Sequence, residues 1–283
     1  MLGAALFACL LLFFMVVGLF SRASPILLSV PIPDLLFSTD WSPVEGKFGF
    51  FPFIMGTLWV TVLATVIAIP ISILSSIYLC EYAGNGLREA IKPLIDLLAG
   101  IPSVVFGLFG VLAVVPFIND TLAPAMGAET IGGYSILAGG IVLSIMVFPI
   151  VISVTGEVMR SVPQELREVS LSLGATKWQT IKHVVIRKAR PGIIAAIVLG
   201  FSRAFGETMA VLMVVGNVAK VPSSVFDPGY PLTALIANSY GEMMSIDLYD
   251  SAILLAALML LLVVLIFNVI ARMILVRIDR GAA

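Results

Sequence analysis

The chain has 283 residues, of which 60% are hydrophobic and only 12% charged. A soluble domain carries about 25% charged residues, so this composition excludes an ordinary soluble protein. A net charge of −1 also lacks the basic excess that a nucleic-acid partner asks for.

A bilayer core takes about 20 apolar residues per helix. Six segments reach or approach that length, near 1–20, 53–79, 93–118, 133–155, 191–216 and 251–275. They predict an all-α membrane protein with six transmembrane helices. Met1 to Phe20 lacks a basic leader and exceeds the roughly 7–15 apolar residues of a secretory signal, so it reads as a retained first helix. Ser21 to Phe51 is polar and aromatic, with Pro25, Pro31, Pro33 and Pro43 within it. Those prolines predict an external loop rather than a continuing helix.

Cys9 and Cys80 lie in or beside apolar runs. They read as small buried hydrophobes, not as a disulfide frame or a metal site, and no cofactor is called for. Basic residues set the orientation. Arg88, Lys92, the run from Arg160 to Arg190, and Arg272, Arg277 and Arg280 fall on one side if the six helices alternate. That side is cytoplasmic by the positive-inside rule, which puts both termini inside.

Pro102, with Gly100 and Gly107 beside it, is expected to loosen the third helix, and the Ser103 hydroxyl is available to a polar path there. The fourth connection, 157–190, is the most polar stretch. Ser161 with Gln164, and Thr176 with Gln179, each have the spacing of a capping box, and Gly174 suits the turn between them. Leu166, Val169 and Leu173 predict one apolar stripe, and Trp178, Ile181 and Val185 a second. Pro191 then marks the start of a new helix. Two short helices around a glycine also describe a DNA-binding motif. Here both ends are tethered to membrane helices, which leaves no room for a duplex; a solvated basic loop and a docking helix for a cytoplasmic protein remain.

Arg203 and Glu207 stand in the middle of the fifth apolar segment. A charge there costs at least about 2.5–3.5 kcal/mol, and i, i+4 spacing predicts that the two meet. They form either a structural pair or an anion path in which the guanidinium faces the anion and Glu207 orients it. Gly192, Ala196, Gly200, Ala204 and Thr208 make a small-residue strip on the same helix, which predicts close packing against a neighbour.

Glu168-Val-Ser-Leu-Ser-Leu-Gly174, with Val184, Ile186 and Arg187 following, resembles the coupling loop of ABC-importer permeases. That family's pattern is E-A-A, three residues, G, nine residues, I-x-L-P; Val169 and Ser170 replace the alanines and Arg187 the proline. Ser202-Arg-Ala-Phe-Gly-Glu-Thr-Met-Ala-Val and Gly100-Ile-Pro-Ser-Val-Val-Phe-Gly107 are similar to phosphate-importer permeases of the PstC type. The resemblance implies a type I importer architecture, with a first helix and external loop over 1–52 and a permease core over 53–277. It places ATPase coupling at Glu168, Leu171, Gly174 and Ala175, and the substrate path at Arg203, Glu207, Thr208 and Ser103. It further implies a second, PstA-like permease, two ATPase subunits, an external phosphate-binding protein, and phosphate as substrate in a cell-membrane transporter.

The sequence contains no GxxxxGK[ST] loop, so ATP hydrolysis is expected on a separate chain. Three rivals remain at this stage. A molybdate or sulfate permease shares the coupling loop. A secondary anion transporter would use Glu207 as a proton site. An intramembrane enzyme or scaffold would need a nucleophile or ligand cluster in a helix, which the sequence lacks.

Overall fold

The computed structural model describes residues 2–242 and 246–281, helical apart from one small hairpin. α1 (Leu2–Ser29) runs straight through Pro25, where a loop was expected from Ser21. Proline at 25 withholds the amide that the Ser21 carbonyl would accept. The Ser24 hydroxyl donates to that carbonyl instead, at 2.7 Å, and the helix survives.

The segment between the first two apolar helices is therefore shorter than the prolines suggest. It holds α2 (Ile32–Phe37) and an antiparallel pair, β1 (Trp41–Ser42) and β2 (Lys47–Phe48). Trp41 packs its ring 5.8 Å from Phe48 and 4.9 Å from Phe53, edge-on to both. That cluster seats the hairpin on α3 (Phe51–Ile77), which continues through a π-helical turn at Tyr78–Tyr82.

The third predicted helix is divided rather than loosened. α4 (Asn85–Gly100) ends, Ile101 and Pro102 are extended, and α5 (Ser103–Phe109) begins. The cause is local: a residue before proline is driven out of the α region, and Ile101 has ψ 130°. π-helical turns then join α5, α6 (Val115–Phe117) and α7 (Ala123–Met126) into one apolar span.

α8 (Ile136–Arg160) is the central helix. The Ser76 hydroxyl of α3 donates to the Ile152 carbonyl at 3.3 Å, and the Cys80 thiol to the Gly156 carbonyl at 3.6 Å. Four residues on one helix match four on the other, so the two run parallel. Ala64, Ala68, Ser72 and Ser76 are all buried, and these small side chains let the backbones approach. Cys80 is only half-buried and Cys9 is exposed, which corrects the expectation that both thiols lie in a core.

Ser161 does not cap the next helix. It closes α8, its hydroxyl turned back to the Val158 carbonyl, and Pro163 leads into α9 (Gln164–Ser172). Gly174 does take the left-handed turn, at φ 84°, and Thr176 and Gln179 do form the reciprocal cap of α10 (Lys177–Thr180). From there the chain passes through a π-helical turn, Ile181–Val185, straight into α11 (Ile186–Phe205). Pro191 lies inside α11 instead of opening it. Arg187 keeps its amide where the resembled pattern has proline, so one helical rod covers 177–205.

Among the described residues, five helices are long and apolar enough to cross a membrane; the fifth predicted span, 191–216, is interrupted between α11 and α12 (Met209–Val214). The small-residue strip on α11 packs on α8 as expected: a Cβ at Gly200 would stand 2.6 Å from Val151. After α12 come α13 (Leu232–Ser239) and α14 (Tyr249–Gly281). α14 packs against α1 and meets α11, where Phe267 stacks on Phe201 at 3.9 Å.

The loop leaving α12 caps the start of α8. The Ile136 amide donates to the Asp227 carbonyl at 2.9 Å and the Leu137 amide to the Val225 carbonyl at 2.8 Å. These amides have no partner within their own helix. Asp227 in turn folds the loop by accepting from the Ser223 and Ser224 amides and the Ser223 hydroxyl. Burial pushes its carboxyl pKa up, but those hydrogen bonds and Lys220 outweigh it, and the net shift is downward. A depressed carboxyl pKa stabilises the loop above the unfolded value and loses that contribution as pH falls through the folded one. Amide exchange at Ser223, Ser224, Ile136 and Leu137, corrected for intrinsic rates, is therefore expected to stay slow down to about pH 4 and quicken below it. Asp227→Asn is expected to quicken it at neutral pH; unchanged protection would remove the carboxylate from this role.

Candidate functional site

Two helix breaks lie at a common level of the bundle. A Cβ at Gly107 would stand 2.6 Å from Met213 Sδ and 3.1 Å from Ala210 Cα, and one at Gly110 2.6 Å from Val214 Cγ1. α5 and α12 therefore run side by side in one direction. One turn back from these contacts lie Ser103 on α5 and residues 206–209 ahead of α12. The break at Ile101–Pro102 and the break at Gly206–Thr208 thus sit at about the same level.

Arg203 and Glu207 flank the second break and do not pair. Among the described residues, ion pairs join only Glu45 with Lys47 and Glu81 with Arg167. The physical reason is that α11 ends at Phe205, so the i, i+4 geometry that would bring them together is lost. Arg203 stays in the last turn with its side chain exposed. Glu207 instead serves its own backbone: the Thr208 amide donates to its Oε1 at 3.2 Å. The Thr208 hydroxyl reaches the Gly206 carbonyl at 3.4 Å, and the Thr233 hydroxyl the Glu207 carbonyl at 3.1 Å. Thr57 receives the Leu232 amide at 2.9 Å, which fixes α13 to α3. Thr57, Thr61, Glu207 and Thr233 line one small cavity there.

Thr57, Thr61 and Thr233 carry no signal in the sequence, because hydroxyls in apolar helices are common and their partners are remote. The break itself had a local sign. Gly206-Glu-Thr inserts a flexible residue and two polar ones into an otherwise apolar run.

The second candidate region is the end of the bundle that carries the basic residues. α9 buries none of its residues; Leu166, Val169, Leu171 and Glu168 are exposed, and Leu173 is 83% exposed. Gly174 is open on all sides, and a Cβ there would meet nothing within 4 Å. Ala175 is half-buried and its amide closes the turn on the Ser170 carbonyl at 3.2 Å. Trp178 is also exposed. The apolar stripe of α9 at this bundle end is thus left uncovered and is not a core face of this chain.

What holds α9 in place is Arg167. Its Nη1 donates to the Val162 carbonyl at 2.6 Å, and its Nη2 to the Met159 carbonyl and to Glu81 Oε1, both at 2.9 Å. The pair is largely buried. Sequence reasoning missed it, since Glu81 and Arg167 are 86 residues apart. Arg88 plays a related part, capping the end of α3 at the Leu79 and Cys80 carbonyls at 3.0 and 2.8 Å.

Residues 68–280 match the family described as the binding-protein-dependent transport system inner membrane component. The chain belongs to this family. A probable ABC transporter permease, YqgH of Bacillus subtilis, is 40% identical over 82% of this chain and 76% of its own length. The phosphate transport system permease PstC of Xylella fastidiosa is 38% identical over 87% of this chain and 80% of its own. A probable PstC of Methanocaldococcus jannaschii is 32% identical over 94% and 89%. Among solved structures, a bacterial alginate importer matches with TM-score 0.58 at 17% identity, covering 95% of this chain and 96% of that chain. The inward-facing MetNI methionine transporter matches with TM-score 0.57 at 18% identity, over 81% and 94%. These structures share the fold of a type I importer permease. The permease is thus a multi-pass membrane subunit of an ABC transporter.

Removing Arg167 leaves Glu81 buried and unpaired, which costs about 3 kcal/mol, the low end for a broken buried pair. Arg167→Ala is expected to lower the permease's thermal midpoint in detergent and to expose α9 to limited proteolysis. Adding Glu81→Gln should recover much of the midpoint. A double mutant no better than the single one would mean that Arg167 acts only through its carbonyl contacts.

Proposed function

We propose that the permease forms half of the path of an ATP-driven importer of inorganic phosphate. The observation that carries this reading is a guanidinium without an ion-pair partner among the described residues, beside a helix break that stands level with a second one. Broken helices at membrane depth mark substrate sites, because unwound backbone is tolerated only where it lines a cavity or is buried in protein. An arginine fork suits a tetrahedral oxyanion. Relatives that carry the name phosphate permease, at 38% identity over most of the chain, favour phosphate within that class.

In this reading Arg203 meets the anion, and Glu207, Thr208 and Ser103 shape the site around it. Glu207 acts by holding the break open through its bond to the Thr208 amide, not by neutralising Arg203. A PstA-like permease supplies the other half of the path, and an external phosphate-binding protein delivers the substrate. Residues 53–277 form the permease core, with 1–52 packed at its edge. One of the two ATPase subunits docks on α9 and the turn after it, at Glu168, Leu171, Gly174 and Ala175, from the cytoplasmic side, where both termini also lie. ATP closes the ATPase pair, α9 moves with it, and the 177–205 rod carries the motion to Arg203.

Arg203→Gln is expected to lower phosphate uptake about 30-fold or more, the cost of roughly 2 kcal/mol for losing charge-assisted bonds. Complex yield should not change, because the exposed Arg203 side chain makes no contact that folding needs. Arg203→Lys should retain partial uptake, and Glu207→Gln should lose less than Arg203→Gln. Normal uptake by an assembled Arg203→Gln complex would sink the anion-path assignment.

A single labelling experiment tests orientation and docking together. Leu173→Cys, in a chain with Cys9 and Cys80 changed to Ala, is expected to react with an impermeant maleimide only from the cytoplasmic side. Assembly with the ATPase subunits should then block the reaction. Labelling from outside would overturn the orientation, and labelling unaffected by the ATPase would overturn the docking.

A further inference from the structure

Behind α9 lies a cavity of about 710 Å³, bounded by Arg88, Arg160, Arg167 and Lys177, with Glu81 and Cys80 at its wall. Four cations converge on it. The sole carboxylate in the wall, Glu81, is already taken by Arg167 at 2.9 Å. Arg88 is pinned by two backbone carbonyls, which leaves its Nη1 free to face the cavity. The Lys177 ammonium rests 4.7 Å above the Tyr82 ring. Arg160 makes no hydrogen bond among the described residues, although it ends α8, where a cap to the last carbonyls would be the ordinary use of a basic residue. The adjoining crevice shares Cys80, Arg88 and Arg160 and adds Lys92 with Asp96 and Glu157, so the positive excess lies on the Arg167 and Lys177 side.

The cavity's place in the fold narrows the ligand. It opens where two apolar spans, Phe51–Tyr82 and Ile136–Arg160, come to their ends, which is the level of the membrane surface. α4 passes beside it with Leu87, Leu94, Leu97 and Leu98 exposed. A chain-like apolar surface next to a fixed cluster of guanidinium and ammonium groups suits a phosphate group, and an acyl-bearing one most of all. We propose that this cavity is a phosphate-group site at the root of α9, distinct from the Arg203 site. A phosphate there would bridge Arg160 to Lys177, tying the end of α8 to the start of α10 across the turn that presents α9. The proposal does not depend on which anion the transporter carries.

Two sources of that chemistry are separable. In nanodiscs of phosphatidylcholine doped with phosphatidylglycerol, native mass spectrometry of the full chain counts retained anionic lipid. Arg160→Gln with Lys177→Gln is expected to lower that occupancy about 25-fold, about five-fold per charge, as follows from about 1 kcal/mol per basic residue at an anionic surface. Arg187→Gln with Lys188→Gln, at the same bundle end but outside the cavity wall, should leave it nearly unchanged. In pure phosphatidylcholine discs, calorimetry with inorganic phosphate tests the free anion. Phosphate binding that Arg160→Gln abolishes and Arg203→Gln does not would assign the same site to the soluble ion. If the double variant fails to fold, each single variant should show the five-fold loss. Equal losses in the cavity and control variants, or no anion bound in either disc, would overturn the site.

Discussion

Every backbone amide and carbonyl in a bilayer core must find a partner within the protein, and the permease's architecture follows from where that rule is strained. Pro25, Pro102 and Gly206 each open a gap in a helical ladder. At Pro25 the Ser24 hydroxyl fills the gap and the helix goes on. At Gly206 the gap is filled from outside the ladder, by the Glu207 carboxylate on the Thr208 amide and by Thr233 on the Glu207 carbonyl. The chain there stays unwound, and the charged residue is part of what makes the unwinding stable.

This changes the meaning of the carboxylate. Read along a continuous helix, Glu207 is the counter-ion of Arg203. In the folded chain it is a backbone partner, and the guanidinium has no ion-pair partner among the described residues. The same break also separates two mechanical elements. The rod over 177–205 is joined at its foot to α9 and packs its glycine strip on α8, while α12 packs on both α5 and α8.

Legibility from sequence divides along the same line. Local signals were readable: Gly174's left-handed turn, the Thr176–Gln179 cap and the small-residue strip on α11 all depend on neighbours within a few residues. Helix continuity was not. Proline was read as a stop at 25 and as a helix start at 191, yet both lie inside helices, while at 102 a kink was expected and a full break is found. The outcome at 25 rests on a nearby hydroxyl and the outcome at 102 on the residue before it, so composition alone does not decide either. The Glu81–Arg167 pair and the hydroxyls of Thr57 and Thr233 were invisible because each partner comes from a distant helix. Family resemblance pointed to α9; only the folded backbone shows that Ser103 stands about level with the break at 206–208.

Arg167 connects these observations. It fastens α9 to the end of α8 and, through Glu81, to the end of α3, the two helices that pack most closely in the bundle. α9 is thereby anchored at its base while its apolar stripe stays open. A docking helix needs both properties, since a loosely held one would absorb a partner's motion instead of passing it on. The parallel packing of α3 and α8 through Ala64, Ala68, Ser72 and Ser76 makes that base stiff. The other end of the rod, beside Arg203, is by contrast where the chain gives up its helix.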